Sequence, residues 1–435
     1  MKVHLIGIGG IGVSALAQYY LSKGHQVSGS DLVKSEITDF LKKKGIKIFI
    51  GNYAKNIEKD FDLVVYSPAV TEKNIEFKQA KKYKIKTISY PEALGELTKE
   101  YYTIAVAGSH GKSTTTAMIG LVLEKAGLDP TVIIGTKVKE FDPGVGGSNF
   151  REGKSKLLVI EACEYDSSFL YYSPKIIVIT NVDKEHLDYF KTFKNVIKAF
   201  ADFIVRLTAD GFLVFNKDDQ NIPEIENTKF KKIDYSISHP EIQKIKKIIQ
   251  IPGEHNVLHA LSALKVARIL EIPDEITFLA LSEFKGTWRR FEIIETKINN
   301  KKITLISDYA HHPNEILATF EALKEKYSKN KIWCVFQPHQ HQRTFYLFDD
   351  FVKIFKKSLI ENIIITDIYD VAGRETKSIN KGVSSQRLVE KVKKENVIYL
   401  AKENIKKHIQ ENINEGDVLI IMGAGDIYKL IEILR

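Results

Sequence analysis

Gly108-Ser109-His110-Gly111-Lys112-Ser113 is a glycine-bounded turn ending in a lysine and a hydroxyl. It lies between an apolar run, Tyr102 to Ala107, and a helical stretch, Thr114 to Ala126. Such a turn can cradle phosphate. Its backbone N–H groups and the dipole of the next helix face an anion, the lysine reaches terminal phosphates, and the serine can hold Mg²⁺. It is a short form, because the strict pattern needs glycine where Val106 stands. A second turn, Gly7-Ile8-Gly9-Gly10-Ile11-Gly12, satisfies G-x-G-x-x-G, with Asp31 near the end of the next strand. Glycines there let the backbone approach a pyrophosphate, and the acid can accept hydrogen bonds from a ribose or base. On these residues alone, a dinucleotide, another nucleotide diphosphate and a purely structural turn all stay open.

Other polar residues gather where apolar runs end. Glu161 follows Leu157 to Ile160, with Glu164 and Asp166 close behind, and His186 lies in Asn181-Val-Asp-Lys-Glu-His-Leu-Asp188 after Ile176 to Ile179. If those strands flank the phosphate strand, Glu161 and His186 converge on the phosphates and could hold metal. The alternative is that a carboxylate at a strand end only caps the next helix. Asp308-Tyr-Ala-His-His-Pro313 and Gln337-Pro-His-Gln-His-Gln-Arg343 follow two further runs. Neighbouring His311 and His312 face different ways and no cysteine or carboxylate pattern completes a set, so structural zinc is not expected.

These residues need parallel strands that deliver their carboxyl ends to a site. The chain reads as three β/α blocks: strand, turn and helix from Val3, again from Tyr102, and a third set of apolar runs from Ile303 to Met422. The expectation is an α/β protein of three domains, 1–98, 99–288 and 289–435. The first and last are Rossmann-like, and the central one is a P-loop ATPase with a mostly parallel sheet. At 435 residues, 44% hydrophobic and 27% charged, the composition is that of a globular chain of about three domains. No run is long enough to span a bilayer, the N-terminus lacks a cleavage site, and two distant cysteines argue for a reducing compartment. A cytoplasmic protein without membrane contact is expected. The net charge of +9 is spread in short lysine runs that read as solvated faces, so nucleic acid is not implied.

Seven motifs in order, Gly-Ser-His-Gly-Lys-Ser, Glu161-Ala-Cys-Glu, Thr180-Asn-Val-Asp-Lys-Glu-His-Leu-Asp, Gly253-Glu-His-Asn, Gly286-Thr-Trp-Arg-Arg, Asp308-Tyr-Ala-His-His-Pro and Gln337-Pro-His, resemble the Mur ligases along the whole chain. The first glycine turn and the His-His-Pro motif look most like the branch of that family that adds L-alanine. The resemblance implies a UDP-binding domain, a central ATPase and a C-terminal domain that closes over the site. It further implies ATP, two Mg²⁺ ions, UDP-N-acetylmuramic acid and L-alanine as cofactors and substrates. By position, Gly108, Ser109, His110, Gly111, Lys112, Ser113, Thr114, Asn256, Arg290 and Asp308 would bind ATP, with His255 near the adenine. Ser113, Glu161 and His186 would serve the metal sites, and Lys112, Glu161, His186 and Arg290 the chemistry. Gly9, Gly10, Ile11, Gly12, Asp31, Ser67 and His110 would handle the UDP substrate, and His339 and Arg343 the amino acid. Departures from the usual family pattern are Cys163-Glu-Tyr-Asp166 for Asp-Glu-Ser-Asp, His259 for Asn, Gln340 for Arg, and the segment 367–375. The nearest alternative in the family adds a tripeptide to the same nucleotide sugar. The first block alone would suit an NAD-dependent oxidoreductase, which leaves the Lys112 turn without a task.

Overall fold

The computed structural model describes residues 1–226, 228–370 and 382–435. The part of the atypical segment at 371–375 therefore lies outside the described residues. The chain divides into two compact units. One comprises Met1–Asp183, Lys194–Ile245 and Leu258–Ser282; the other comprises Lys184–Phe193, Lys246–Val257 and Glu283–Arg435. Three sheets, one in the second unit and two in the first, make up the three-domain α/β architecture. No helix among the described residues is long and apolar enough to cross a membrane.

In the first unit, β1 (Lys2–Ile6), β2 (Gln26–Asp31), β3 (Lys47–Ile50), β4 (Leu63–Tyr66) and β5 (Lys86–Ser89) form a parallel sheet in the order β3-β2-β1-β4-β5. The order reverses at β1, so the glycine turn after it opens at the topological switch point, where such sheets bind ligands. The helix after the turn runs from Ile11 to Ser22, so the last two residues of the glycine turn already belong to it.

The same unit carries β6 (Tyr102–Ala107), β7 (Thr131–Val138), β8 (Ser148–Arg151), β9 (Leu157–Glu161), β10 (Ile176–Ile179), β11 (Phe212–Asn216) and β12 (Lys231–Tyr235). They form a seven-stranded sheet in the order β12-β11-β10-β6-β9-β7-β8, parallel except for β7–β8. β6 lies between β10 and β9, which puts the Gly108 turn between the strand ends that carry Thr180 and Glu161. β10 is fully buried, as its unbroken Ile-Ile-Val-Ile run requires of a strand covered on both faces. The two sheets of this unit are tied through Asn149, whose amide reaches the carbonyl of Ile11 and, at 2.9 Å, Ser14 Oγ, while its Oδ1 accepts from Gln18 at 2.8 Å.

The second unit holds β13 (Glu292–Ile298), β14 (Lys301–Asp308), β15 (Ile332–Phe336), β16 (Asn362–Ile365), β17 (Val397–Tyr399) and β18 (Val418–Met422), ordered β13-β14-β18-β15-β16-β17. All pairs are parallel except the β13–β14 hairpin, which turns at Asn299 and Asn300, both with positive φ. Side chains alternate across the sheet. Ile306, Cys334, Phe336, Ile363, Ile420 and Met422 feed one core, and Leu305, Trp333, Val335, Ile364, Leu419 and Ile421 the other.

Candidate active site

In the first unit the Gly108 turn leaves β6 and enters the helix Lys112–Lys125, with no side chain capping the helix start. The first N–H groups of that helix thus lack a side-chain cap and are available to an anion. Two glycines are required by close neighbours. Gly108 has φ +139° and an added Cβ would collide with Thr180 Oγ1; Gly111 has φ +80° and an added Cβ would collide with the ring of His259. His259 therefore packs on the cradle itself. The end of β10 pins the turn: Thr180 Oγ1 donates to the His110 carbonyl at 2.6 Å, and the Asn181 amide does so at 3.0 Å. The His110 N–H donates to Asn181 Oδ1 at 2.9 Å, and its ring Nε2 lies 3.0 Å from Asp183 Oδ2.

Lys112 Nζ donates to the Gly108 and Ser109 carbonyls and to Glu164, at 2.9 Å from Oε2. Burial alone would lower its pKa, but the Glu164 carboxylate, aided by Glu161, holds it above the usual lysine value. Ser113 Oγ donates to Glu161 Oε2 at 2.9 Å, and the same oxygen accepts from the Gly135 N–H at 2.8 Å. A hydroxyl and a carboxylate side by side at the start of this helix are hard oxygen donors, the set that suits Mg²⁺. Burial, followed by the Glu164 charge, pushes the neighbouring Cys163 thiol up to about 12, so it is not a thiolate near neutrality.

The Gly7–Gly12 turn is held by Asp31, whose Oδ2 accepts from the Gly9 N–H at 2.8 Å. Asp31, Gly7, Gly10, Ser67, Leu32, Asn52, Val70 and neighbouring residues line a cavity of about 430 Å³. Gly12 packs beneath the Tyr90 ring. Ile11 instead faces a separate cavity of about 470 Å³, with Ser14, Phe40, Lys137 and Asn149. Of the seven residues read as UDP contacts, Gly10, Asp31 and Ser67 line one cavity, and Gly9 braces its acid.

The second unit gathers the other motifs. Arg289 is buried and donates to the Gly423 and Gly425 carbonyls, whereas Arg290 lies over the Tyr309 ring, 4.7 Å from its centroid. Asp308 accepts from the Phe291 N–H at 2.7 Å and the Ala310 N–H at 2.8 Å, and burial raises its pKa. The Asn256 amide donates to the Pro252 carbonyl at 2.6 Å. The His-His-Pro motif starts a helix, Pro313–Lys326. The His312 ring accepts from the Asn314 N–H, and Glu315 accepts from the backbone of His311 and His312. His311 also sits 3.1 Å from Glu315. Both histidines thus help to cap this helix.

His186 begins the short helix Leu187–Phe190 with φ 55°, and its N–H donates to Glu185 Oε2 at 3.2 Å. Arg343 Nη2 lies 3.0 Å from the same carboxylate oxygen, and Nη1 lies 3.1 Å from His339 Nδ1. Glu164 and Glu185, the partners of the two key cations, were not singled out by sequence reasoning. Each stands inside a recognised motif, but nothing local marks it as a partner.

A nucleotide-type turn on each of two parallel sheets and a cradle with lysine, serine and carboxylate mark a nucleotide-using enzyme. Residues 2–102 match the model of the Mur ligase family, catalytic domain; 106–267 match the Mur ligase middle domain; and 289–425 match the Mur ligase, glutamate ligase domain. The chain belongs to the Mur ligase family. It is 40% identical to a UDP-N-acetylmuramate–L-alanine ligase of Clostridium botulinum, with 98% of this chain and 96% of that protein covered. Among solved structures it is similar to the UDP-N-acetylmuramate-alanine ligase MurC of Thermotoga maritima, with a TM-score of 0.80 and 27% identity over 100% of this chain and 98% of that one. It shares the fold of a murein peptide ligase from Psychrobacter arcticus, with a TM-score of 0.73 and 23% identity over 100% and 98% of the two chains.

Proposed function

We propose that this chain is an ATP-dependent ligase that joins the amine of L-alanine to the carboxylate of UDP-N-acetylmuramic acid. The observation that carries the reading is the Gly108–Ser113 cradle, with Lys112 and the Ser113–Glu161 pair, in a chain so similar end to end to ligases of that name. A carboxylate is a poor acyl donor, so ATP transfers its γ-phosphoryl group to a carboxylate oxygen and leaves as ADP. The amine nitrogen then attacks the carbonyl carbon of the acyl phosphate, a tetrahedral intermediate forms, and inorganic phosphate departs.

The protein's part is mostly placement and charge. In the first unit, the N–H groups of the turn and Lys112 hold the phosphates, while Gly10, Asp31 and Ser67 receive the nucleotide end of the sugar substrate. Ser113 and Glu161 would hold Mg²⁺, and in the second unit His186 is the further metal candidate; the ion supplies positive charge against the phosphoryl oxygens. Arg290 supplies a cation for phosphate and Asp308 an acceptor for the ribose region. Arg343, with His339 beside it, receives the amino-acid carboxylate, for which a planar guanidinium is suited. Residues 1–98, 99–288 and 289–435 would divide these tasks as UDP, ATP and acceptor domains. The free Cys163 and Cys334 fit a reducing compartment.

ADP release measured with UDP-N-acetylmuramic acid and each amino acid in turn tests the reading. L-alanine should be the best acceptor, with glycine and L-serine poor but measurable, because a methyl group discriminates by only about 10–200-fold. A tripeptide used far better than L-alanine would transfer the chain to the peptide-adding branch.

A further inference from the structure

The Arg343–Glu185 pair is almost completely buried, its side chains 9% and 4% exposed, with Nη2 and Oε2 3.0 Å apart. It lines a cavity of about 20 Å³ whose other walls include His186, Leu187, Gln340, Tyr346 and Leu347. That is room for a single water, not for an amino acid. A buried ion pair is weak support for stability, since apolar residues of like volume often do as well. Its position on a cavity wall beside the acceptor motif suggests another use. Gln340 Oε1 stands 3.4 Å from Arg343 Nη1, and the exposed Lys184 and half-buried Asp188 also border the cavity, while Arg343 and Glu185 are its buried charges.

We propose that Glu185 is the second half of the amino-acid site, receiving the α-ammonium of L-alanine while Arg343 receives its α-carboxylate. The inference rests on the ligase reading above. A zwitterion carries the same two charges as the pair. When it enters, the internal Arg343–Glu185 contact is exchanged for two contacts to the ligand, and neither buried charge is left without a counter-charge. The two side chains satisfy each other beside a cavity the size of a water. Leu187, Tyr346 and Leu347 supply apolar wall for a methyl group. The contact with the Arg343 guanidinium marks Glu185 as a carboxylate suited to receive a second cation, the ammonium. The site as a whole selects α-amino acids over hydroxy acids.

The experiment compares the wild type with Glu185→Gln and Glu185→Asp, after thermal melts show that each variant is folded. It measures KM and kcat for L-alanine, and inhibition by L-lactate, which keeps the carboxylate and methyl but lacks the ammonium. Glu185→Gln should raise the alanine KM about ten- to a hundred-fold, the worth of a charge-assisted hydrogen bond. Its L-lactate inhibition constant should not rise and should fall, because lactate occupies Arg343 and leaves the wild-type Glu185 without a counter-charge, a cost that glutamine removes. Glu185→Asp should recover part of the alanine KM. Equal weakening of alanine and lactate would make Glu185 only a brace for Arg343 and overturn the proposal, as would an unchanged alanine KM. Wild-type enzyme that turns over another acceptor but not L-alanine would overturn the ligase reading, and this proposal with it.

Discussion

Lys112 Nζ lies 2.9 Å from Oε2 of Glu164, a carboxylate with no exposed surface, and the same ammonium donates to two carbonyls of the phosphate turn. The lysine is thus held as a cation in the turn by a partner that sits fifty-two residues along the chain. Glutamate supplies the charge balance that an otherwise buried ammonium requires.

Lys112→Met should lower kcat at least about 10–100-fold, the worth of a lost charge-assisted contact to phosphate. It should also destabilise the protein, by about 3–5 kcal/mol, because Glu164 is left as an uncompensated buried charge. Adding Glu164→Gln should recover most of that stability and none of the activity. Denaturant melts and ADP-release rates on the single and double variants check both halves. Near-normal turnover in Lys112→Met would remove the lysine from the phosphate site.

Ser113 Oγ and Glu161 Oε2 are 2.9 Å apart, and Glu161 also accepts from the Gly135 N–H. Glu161→Gln keeps the shape and an acceptor oxygen but loses the charge that attracts a divalent cation. The Mg²⁺ concentration for half-maximal activity should rise, on the order of ten-fold, with little change in melting temperature. A Mg²⁺ titration that superimposes on wild type would leave Glu161 as a brace between the helix and β7.

The cavity lined by Gly10, Asp31 and Ser67 should bind UDP and not NAD. Isothermal calorimetry on the full chain is the measurement. Asp31→Ala removes the acceptor that holds the Gly9 N–H, which costs about 0.5–1.5 kcal/mol before any ligand contact is counted, and should weaken UDP binding by more than that. Tight NAD binding without uridine nucleotide binding would contradict the assignment.

His4 is fully buried on β1, 2.9 Å from Ser28 Oγ and stacked on Phe61, and burial lowers its pKa to about 3. The unfolded chain binds a proton there near pH 6.5, which the folded ring refuses until about pH 3. The unfolded state therefore holds more protons across that window. Stability contributed by the neutral ring is fully present above about pH 6.5 and falls as pH drops, by at most about 1.4 kcal/mol per pH unit. His4→Phe should flatten the slope of stability against pH between 6.5 and 4.5, whatever it does to absolute stability. Urea melts at several pH values decide this, and an unchanged slope would contradict it.

Sequence alone determined the central strands and the turns that follow them. Apolar runs such as Ile176–Ile179 and Val418–Met422 are buried on both faces, and glycines at 108 and 111 take backbone angles that other residues resist. Such features are local, so they can be read in order along the chain, and seven of them in one order point to a family. The edge strands were less legible. β3, β5 and β17 are short and half-exposed, and their lysines and tyrosines lack a buried face to announce them. The β13–β14 hairpin was missed because Asn299-Asn300 only reads as a turn once the two strands are paired.

The pairings of polar side chains were decided by tertiary structure. Lys112 with Glu164, Ser113 with Glu161 and Arg343 with Glu185 are separated by 52, 48 and 158 residues. Sequence supplies the residue types and the family suggests their ligands. Which carboxylate neutralises which cation depends on strand order, β10-β6-β9 in one sheet, and on where the chain outside the strands packs. Coulomb attraction and desolvation act over a few ångströms of space, and distance along the chain does not enter them.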